Sequence, residues 1–347
     1  MFVRAAEKPL VAVLQGSAYN PPPVWFLRQA GRYLPEYRKL RRESPDFLSL
    51  CNTPELAARI TLQPVDRFGV DAAIVFSDIL IVPHGMGRTV RFLEGEGPFL
   101  TPLRCEADID ALDADGAVER NRSLMETLRL VRRELDDRTA LIGFAGGPIT
   151  IAAYMIDGSG GEFHATKRLM KDDPGLVDRL VARLADAVTG LLLAQIEAGA
   201  DAVQVFDSWA GLLEESASFD RWCIGPTRRI VGSVREVHPR IPVIGFPRGA
   251  GERYAQYARK TGVHALQVDQ DVPLGAMRDL QSICPVQGNL DPGILLAGGD
   301  MMRRRARSIV MGLEGSSHIF NLGHGIIKDT PPSHVADLVD TVRSCGK

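Results

Sequence analysis

Residues 24–43, VWFLRQAGRYLPEYRKLRRE, place Arg28, Arg32, Arg38, Arg41 and Arg42 within fifteen positions, with Gln29, Tyr33 and Tyr37 between them. A guanidinium is a rigid fork of donors that meets a carboxylate two bonds at a time. The competing reading is a solvated basic helix start, or a patch for an acidic partner. Asp78 is the second residue of interest, because it follows a largely apolar run and precedes Ile79-Leu80-Ile81-Val82. A carboxylate set in apolar sequence loses water and needs partners. It is either half of a buried ion pair with the Arg28 group or a carboxylate aimed at a ligand, where it stabilises a developing cation. His324 is the third, held between Gly323 and Gly325 directly after an apolar run. Glycines let backbone approach closely and leave the imidazole on an open loop.

Other chemistries lack candidates. No HExxH, H-x-C pair or carboxylate cluster has metal-ligand spacing, and no G-x-S-x-G or P-loop is present. The five cysteines lie far apart without C-x-x-C, a pattern expected of a reducing compartment rather than a disulfide frame. His84, His164, His238, His264, His318 and His334 gain no support as ligands.

These residues must be carried by elements, and eight short apolar or β-branched runs ending in turn residues read as strands. They are 24–28, 71–77, 140–145, 202–207, 242–247, 264–268, 284–288 and 318–322. Helical patterns alternate with most of them, over 53–68, 116–136, 173–198, 226–238, 250–261, 273–281, 301–312 and 331–344. The alternation predicts a single (β/α)₈ TIM-type barrel spanning 1–347, with a doubly wound open sheet as the alternative. No G-x-G-x-x-G follows an early strand to favour the latter. The stretch 83–103 reads as an excursion from the barrel, with a hairpin at Val90–Phe92. In a barrel, chemistry sits where strands end, and polar residues stand at those ends: Arg28 and Gln29, Ser77 and Asp78, Asp207 and Ser208, Arg248, Asp269, Asn289 and Asp291, Asn321 and His324. Asp207, Asp269 and Asp291 are equally suited to be caps or loop braces.

Composition sets the outer bounds. The chain has 347 residues and net charge −2, so its early cations are local and a nucleic-acid role finds no overall support. The N-terminus does not read as a signal peptide and no apolar run reaches membrane length, so a cytoplasmic protein without a membrane partner is expected.

Taken together, FLRQAGRYLPEYR, FSDIL, GFAGGPIT followed by Tyr154, QVFDSWAG and NLGHGI resemble the uroporphyrinogen decarboxylase family from about residue 24 to the last helix. The resemblance implies a homodimeric (β/α)₈ barrel, working without metal or organic cofactor. It would remove the four acetate carboxyl groups of uroporphyrinogen III, giving coproporphyrinogen III and carbon dioxide in haem synthesis. By position in the motifs, Arg28, Arg32 and Arg41 would hold substrate carboxylates with Gln29 and Ser77 beside them. Asp78 would accept from pyrrole N–H groups, Tyr154, Ser208 and His324 would contact substrate, and Ile74 and Phe144 would form the apolar wall. Asp78, Arg28, Tyr154 and His324 are the implied catalytic set. Which of them delivers each proton stays open, since an arginine is a poor acid.

Three positions depart from the common pattern of the family: Ile149 in place of Trp, Lys328 in place of Pro and Leu27 in place of Met. The first two flank matched residues and touch loop packing; the third conserves volume. Two rivals remain at this point: a zinc-dependent methyl transferase on a related barrel, which needs an H-x-C pair that Cys284 lacks, and a noncatalytic tetrapyrrole carrier.

Overall fold

Strands β1 (Ala72–Ile74), β4 (Ala140–Gly146), β5 (Ala202–Asp207), β6 (Val243–Pro247), β7 (Ala265–Gln267), β8 (Val286–Gln287) and β9 (His318–Ile319) form one parallel sheet in that order. The computed structural model describes residues 8–93 and 97–346. Residues 1–7, 94–96 and Lys347 lie outside them, including the first seven residues of the N-terminal stretch read above and the tip of the expected hairpin. Seven of the eight expected staves are thus strands, mostly shorter than their apolar runs.

The eighth, 24–28, closes the barrel without being a strand. Val24 forms a parallel bridge with Phe320, and Asp71 donates its N–H to the Val24 carbonyl at 2.8 Å. Beyond that point side chains replace the ladder: Phe26 N–H bonds Gln29 Oε1 at 3.0 Å, and Leu27 N–H bonds Asn321 Oδ1 at 3.0 Å. Every backbone group still needs a partner, and here Gln29 and Asn321 supply it. The pleat survives, since Trp25 and Leu27 join the barrel interior while Val24 and Phe26 join the outer layer.

The interior is filled from below by Leu10, Val13 and Leu14 of the helix Pro9–Leu14, packed with Trp25, Ile142, Ile244 and Ile319. Above them lies a polar layer. Trp25 Nε1 donates to Gln287 Oε1 at 2.8 Å, Gln287 bonds Gln204 and Gln267, and Gln267 Nε2 reaches the Leu322 carbonyl at 2.8 Å. Buried amides are tolerable when their groups are paired in this way. It also anchors the loop that carries His324.

Most expected helices form, with differences at their ends. The pattern over 173–198 is one helix, Pro174–Glu197, capped by Asp173 accepting from Leu176 N–H at 3.0 Å. The pattern over 116–136 is broken into Gly116–Glu119 and Arg122–Glu134, because Asn121 turns its amide onto Ile81 O and Ala117 O. The excursion contains the expected hairpin, β2 (Val90–Leu93) against β3 (Gly97–Leu100), with Val90 opposite Leu100. Leu100 N–H bonds Gly158 O at 2.7 Å, which ties the hairpin to the turn after the helix Pro148–Asp157.

Candidate active site

The strand ends surround a cleft, and its walls come from segments 27–30, 74–80 and from Pro98, Phe144, Tyr154, Phe206, Ser208, Phe246, His324 and Gly325. Of the sequence candidates, Arg28, Gln29, Ile74, Ser77, Asp78, Phe144, Tyr154, Ser208 and His324 meet there. Arg32 and Arg41 do not. Arg32 is exposed, and Arg41 is half-buried on the helix Pro35–Glu43, its Nη1 donating to Ser44 O at 3.3 Å. Both lie near Tyr37, offsetting part of the upward shift that burial gives that phenol. Arg38 is exposed, its Nη1 donating to the carbonyls of Arg32 and Tyr33 at 3.0 and 3.2 Å.

Arg28 sits at φ 58°, a left-handed conformation that a side chain disfavours. The turn is held by Gln29 N–H to Phe26 O at 3.0 Å and Ile326 N–H to Leu27 O at 2.9 Å. It swings the guanidinium off the stave toward the cleft. Gln29 lines the cleft only as framework: fully buried, its Nε2 donates to Ala72 O at 2.9 Å while Oε1 serves Phe26. Its amide joins the seam between 24–28 and β1.

Asp78 follows β1 through Val75, whose N–H bonds Ile142 O at 3.0 Å, and Phe76, whose N–H bonds Thr61 Oγ1 at 2.9 Å. One carboxylate oxygen accepts from Leu80 N–H at 2.9 Å. No described cation lies within ion-pair distance, so the buried-pair reading is not what forms. Burial pushes its pKa upward, and the Leu80 N–H and the Arg28 charge resist that push. The carboxylate therefore has capacity left for a cationic or N–H-bearing group in a water-poor setting.

Tyr154 is carried by the helix Pro148–Asp157 and packs between Phe163, 5.6 Å away, and Trp209, 6.4 Å away, both edge-on. Burial raises its pKa, so the phenol stays protonated at neutral pH. The helix start is pinned by Asp207, whose Oδ1 accepts from Thr150 N–H at 3.2 Å and Thr150 Oγ1 at 2.6 Å. Thr150 Oγ1 accepts in turn from Trp209 N–H at 3.0 Å. Asp207 is thus a brace, its carboxyl pushed up to about 6 by burial, and it places Ser208 at the cleft. Asp291 caps its helix by accepting from Gly293 N–H at 2.6 Å, and Asp269 holds Gly249 N–H and Tyr254 Oη at 2.8 and 2.7 Å.

His324 is held neutral. Burial, then the Arg248 and Arg28 charges, bring its imidazole down to about 3. Its flanking glycines make room for the protein itself: a Cβ on Gly323 would overlap the Gln270 backbone, and one on Gly325 would overlap the Arg28 stem. The Gly-His-Gly pattern therefore builds the Arg28 site from the other side of the seam.

The apolar wall is larger than the sequence reading held. Phe206 packs edge-on against Phe144 at 5.5 Å and against Phe246 at 6.2 Å. A signal existed, since IGFAG, QVFDS and IGFPR repeat a Phe near the ends of three successive strands. The arrangement offers one uncommitted carboxylate beside a cation, neutral hydroxyl and imidazole partners, and a ring of phenyl groups that excludes water.

The family model described as uroporphyrinogen decarboxylase (URO-D) matches residues 5–345. A protein named uroporphyrinogen decarboxylase from Mesorhizobium japonicum is 51% identical over 339 residues, covering 97% of this chain and 98% of its own. Proteins of the same name from Acidiphilium cryptum and Rhodospirillum rubrum are 51% and 48% identical, covering 99% and 97% of this chain and 96% and 97% of their own. Among solved structures, a methyltransferase from Methanosarcina mazei superposes with a TM-score of 0.80 at 18% identity, covering 97% of each chain. That similarity bears on the fold alone.

Proposed function

This chain belongs to the uroporphyrinogen decarboxylase family, its activity is uroporphyrinogen decarboxylation in haem synthesis, and we propose how its residues divide the work. The observation that carries the proposal is Asp78: a carboxylate in an apolar cleft, beside Arg28, with one oxygen uncommitted among the described residues.

The substrate is a flexible tetrapyrrole bearing carboxylates on every ring. Its acetate cannot leave as carbon dioxide until the ring offers a sink for the departing electron pair. Protonation of the ring carbon next to the side chain creates that sink. The C–C bond to the carboxylate then breaks toward the ring, carbon dioxide leaves, the exocyclic carbon takes a proton, and the ring carbon gives one up. One proton is consumed per carboxylate lost. Asp78 accepts from the pyrrole N–H groups and stabilises the ring cation, an effect strengthened where water is excluded. Arg28 holds a side-chain carboxylate. Tyr154, protonated, and His324, neutral, act as hydrogen-bond partners rather than as acids. A water against Arg28 is then the carrier of the incoming proton. Ile74, Phe144, Phe206 and Phe246 form the wall, with Ser77 and Ser208 at its edge. Arg32 and Arg41 lie outside that wall and would meet the substrate only at its outer carboxylates.

The family resemblance also supports a homodimer in the cytoplasm, the III isomer as substrate and no requirement for a cofactor. Among the described residues no helix is long and apolar enough to cross a membrane. No group of three metal-ligating side chains occurs among them either, so zinc-dependent methyl transfer finds no donor set.

The test is an anaerobic assay with uroporphyrinogen and no added metal or organic cofactor. Coproporphyrinogen should appear through partly decarboxylated intermediates. Tight binding with no carbon dioxide released would leave only the carrier reading standing.

A further inference from the structure

Arg248 is a cation at the barrel mouth that the account above does not use. It follows β6, where Ile244 and Phe246 face the interior and Val243 the outer layer. Position 248 opens the turn after the strand, its N–H reaching Phe246 O at 3.1 Å. Its backbone is fixed: the N–H bonds Asp207 O at 3.2 Å, and the carbonyl accepts from Gly211 N–H at 3.1 Å. Its side chain is half-buried and, among the described residues, makes no hydrogen bond or ion pair. The nearby carboxylate of Asp269 is already occupied by Gly249 N–H, Tyr254 Oη and Asp271 N–H. A half-buried guanidinium with no hydrogen-bonded partner keeps its donors for an incoming anion.

Its position around the barrel is equally informative. Starting from the 24–28 stave and following the sheet order β1, β4, β5, β6, Arg248 comes four staves on, on the wall opposite Arg28. Both charges reach His324, with Arg248 acting more strongly than Arg28. Arg248 stands outside the cleft lining, at the end of the stave opposite Arg28.

We propose that Arg248 is a second carboxylate-holding residue of the substrate site, binding a side-chain carboxylate on the ring opposite the one held near Arg28. The assignment rests on the polycarboxylate substrate proposed above. It gives the macrocycle two anchors across the mouth, so that a turn of the substrate presents each ring to Asp78 with both anchors filled. Loss of one such charge-assisted hydrogen bond should read as about tenfold in affinity, about 1.4 kcal/mol.

The test compares wild type, R248Q and R248K for uroporphyrinogen turnover and, separately, for uroporphyrinogen binding under anaerobic conditions. R248Q should raise KM and Kd about tenfold with kcat within about threefold, and R248K should recover most of the loss. Unchanged KM and Kd in R248Q, or a loss that R248K does not recover, would overturn the assignment. A wild type that binds but releases no carbon dioxide would defeat the decarboxylase reading alone, because the binding arm still reports on Arg248.

Discussion

At the scale of single residues, the site works by keeping three ionisable groups away from their solution behaviour. Asp78 is pushed up by burial, Tyr154 is pushed up and His324 is brought down to about 3. The sign for His324 follows from linkage. Below about 6.5 the unfolded chain binds a proton that the folded chain refuses, so stability is full above that value and lost as pH falls toward 3. His318, brought down to about 4 by burial, adds to the same acid sensitivity. The His324 ring signals should therefore stay flat between pH 5 and 8 by NMR; a midpoint near 6.5 would restore an imidazolium proton donor. Asp78, Tyr154 and His324 were legible because each stands in a short distinctive motif. Arg248 was visible only as a strand end. Nothing local showed that Asp269 would be satisfied by Tyr254, or that Arg248 would end the stave opposite Arg28. Arg32 and Arg41 lie outside the cleft lining, and a run of cations does not reveal which of them the chain turns inward; of that run Arg28, at φ 58°, lines the cleft.

At the scale of elements, the site depends on how loops are pinned to strand ends. Asp207 and Thr150 join the end of β5 to the start of the Tyr154 helix, and Trp209 N–H closes the knot. Thr150→Val removes the shortest of these bonds and leaves Asp207 buried with less support. It should cost about 1–3 kcal/mol of stability, lowering the melting midpoint by a few degrees, and should reduce kcat roughly tenfold by loosening Tyr154. Calorimetry with steady-state kinetics would check both, and a destabilised variant with unaltered kcat would remove Asp207 from any part in positioning. The strands themselves were the most legible elements. The run 202–207 is β5 as expected, and 140–145 is β4 to within one residue. Residues 24–28 were read as a strand because their apolar alternation is that of a strand. The N–H groups of Phe26 and Leu27 go to Gln29 and Asn321 instead, a substitution by side chains that no local pattern announces.

At the scale of the whole molecule, the barrel separates tasks by depth. Leu10, Val13 and Leu14 close its floor, the Gln204, Gln267 and Gln287 layer joins its staves in the middle, and the phenyl groups of Phe144, Phe206 and Phe246 pack edge-on at the base of the cleft, where the proposed reading seats the macrocycle. Arg28, Asp78, Tyr154 and His324 line the same cleft as those phenyl groups. Asp78 is the member of that set on which the chemistry turns. The most direct measurement is the anaerobic Kd and kcat of Asp78→Asn against wild type, with uroporphyrinogen as substrate. Stabilisation of a ring cation that exists only during the reaction predicts a Kd within about threefold of wild type and a kcat lower by roughly a hundredfold or more. Turnover close to the wild-type rate would contradict the account.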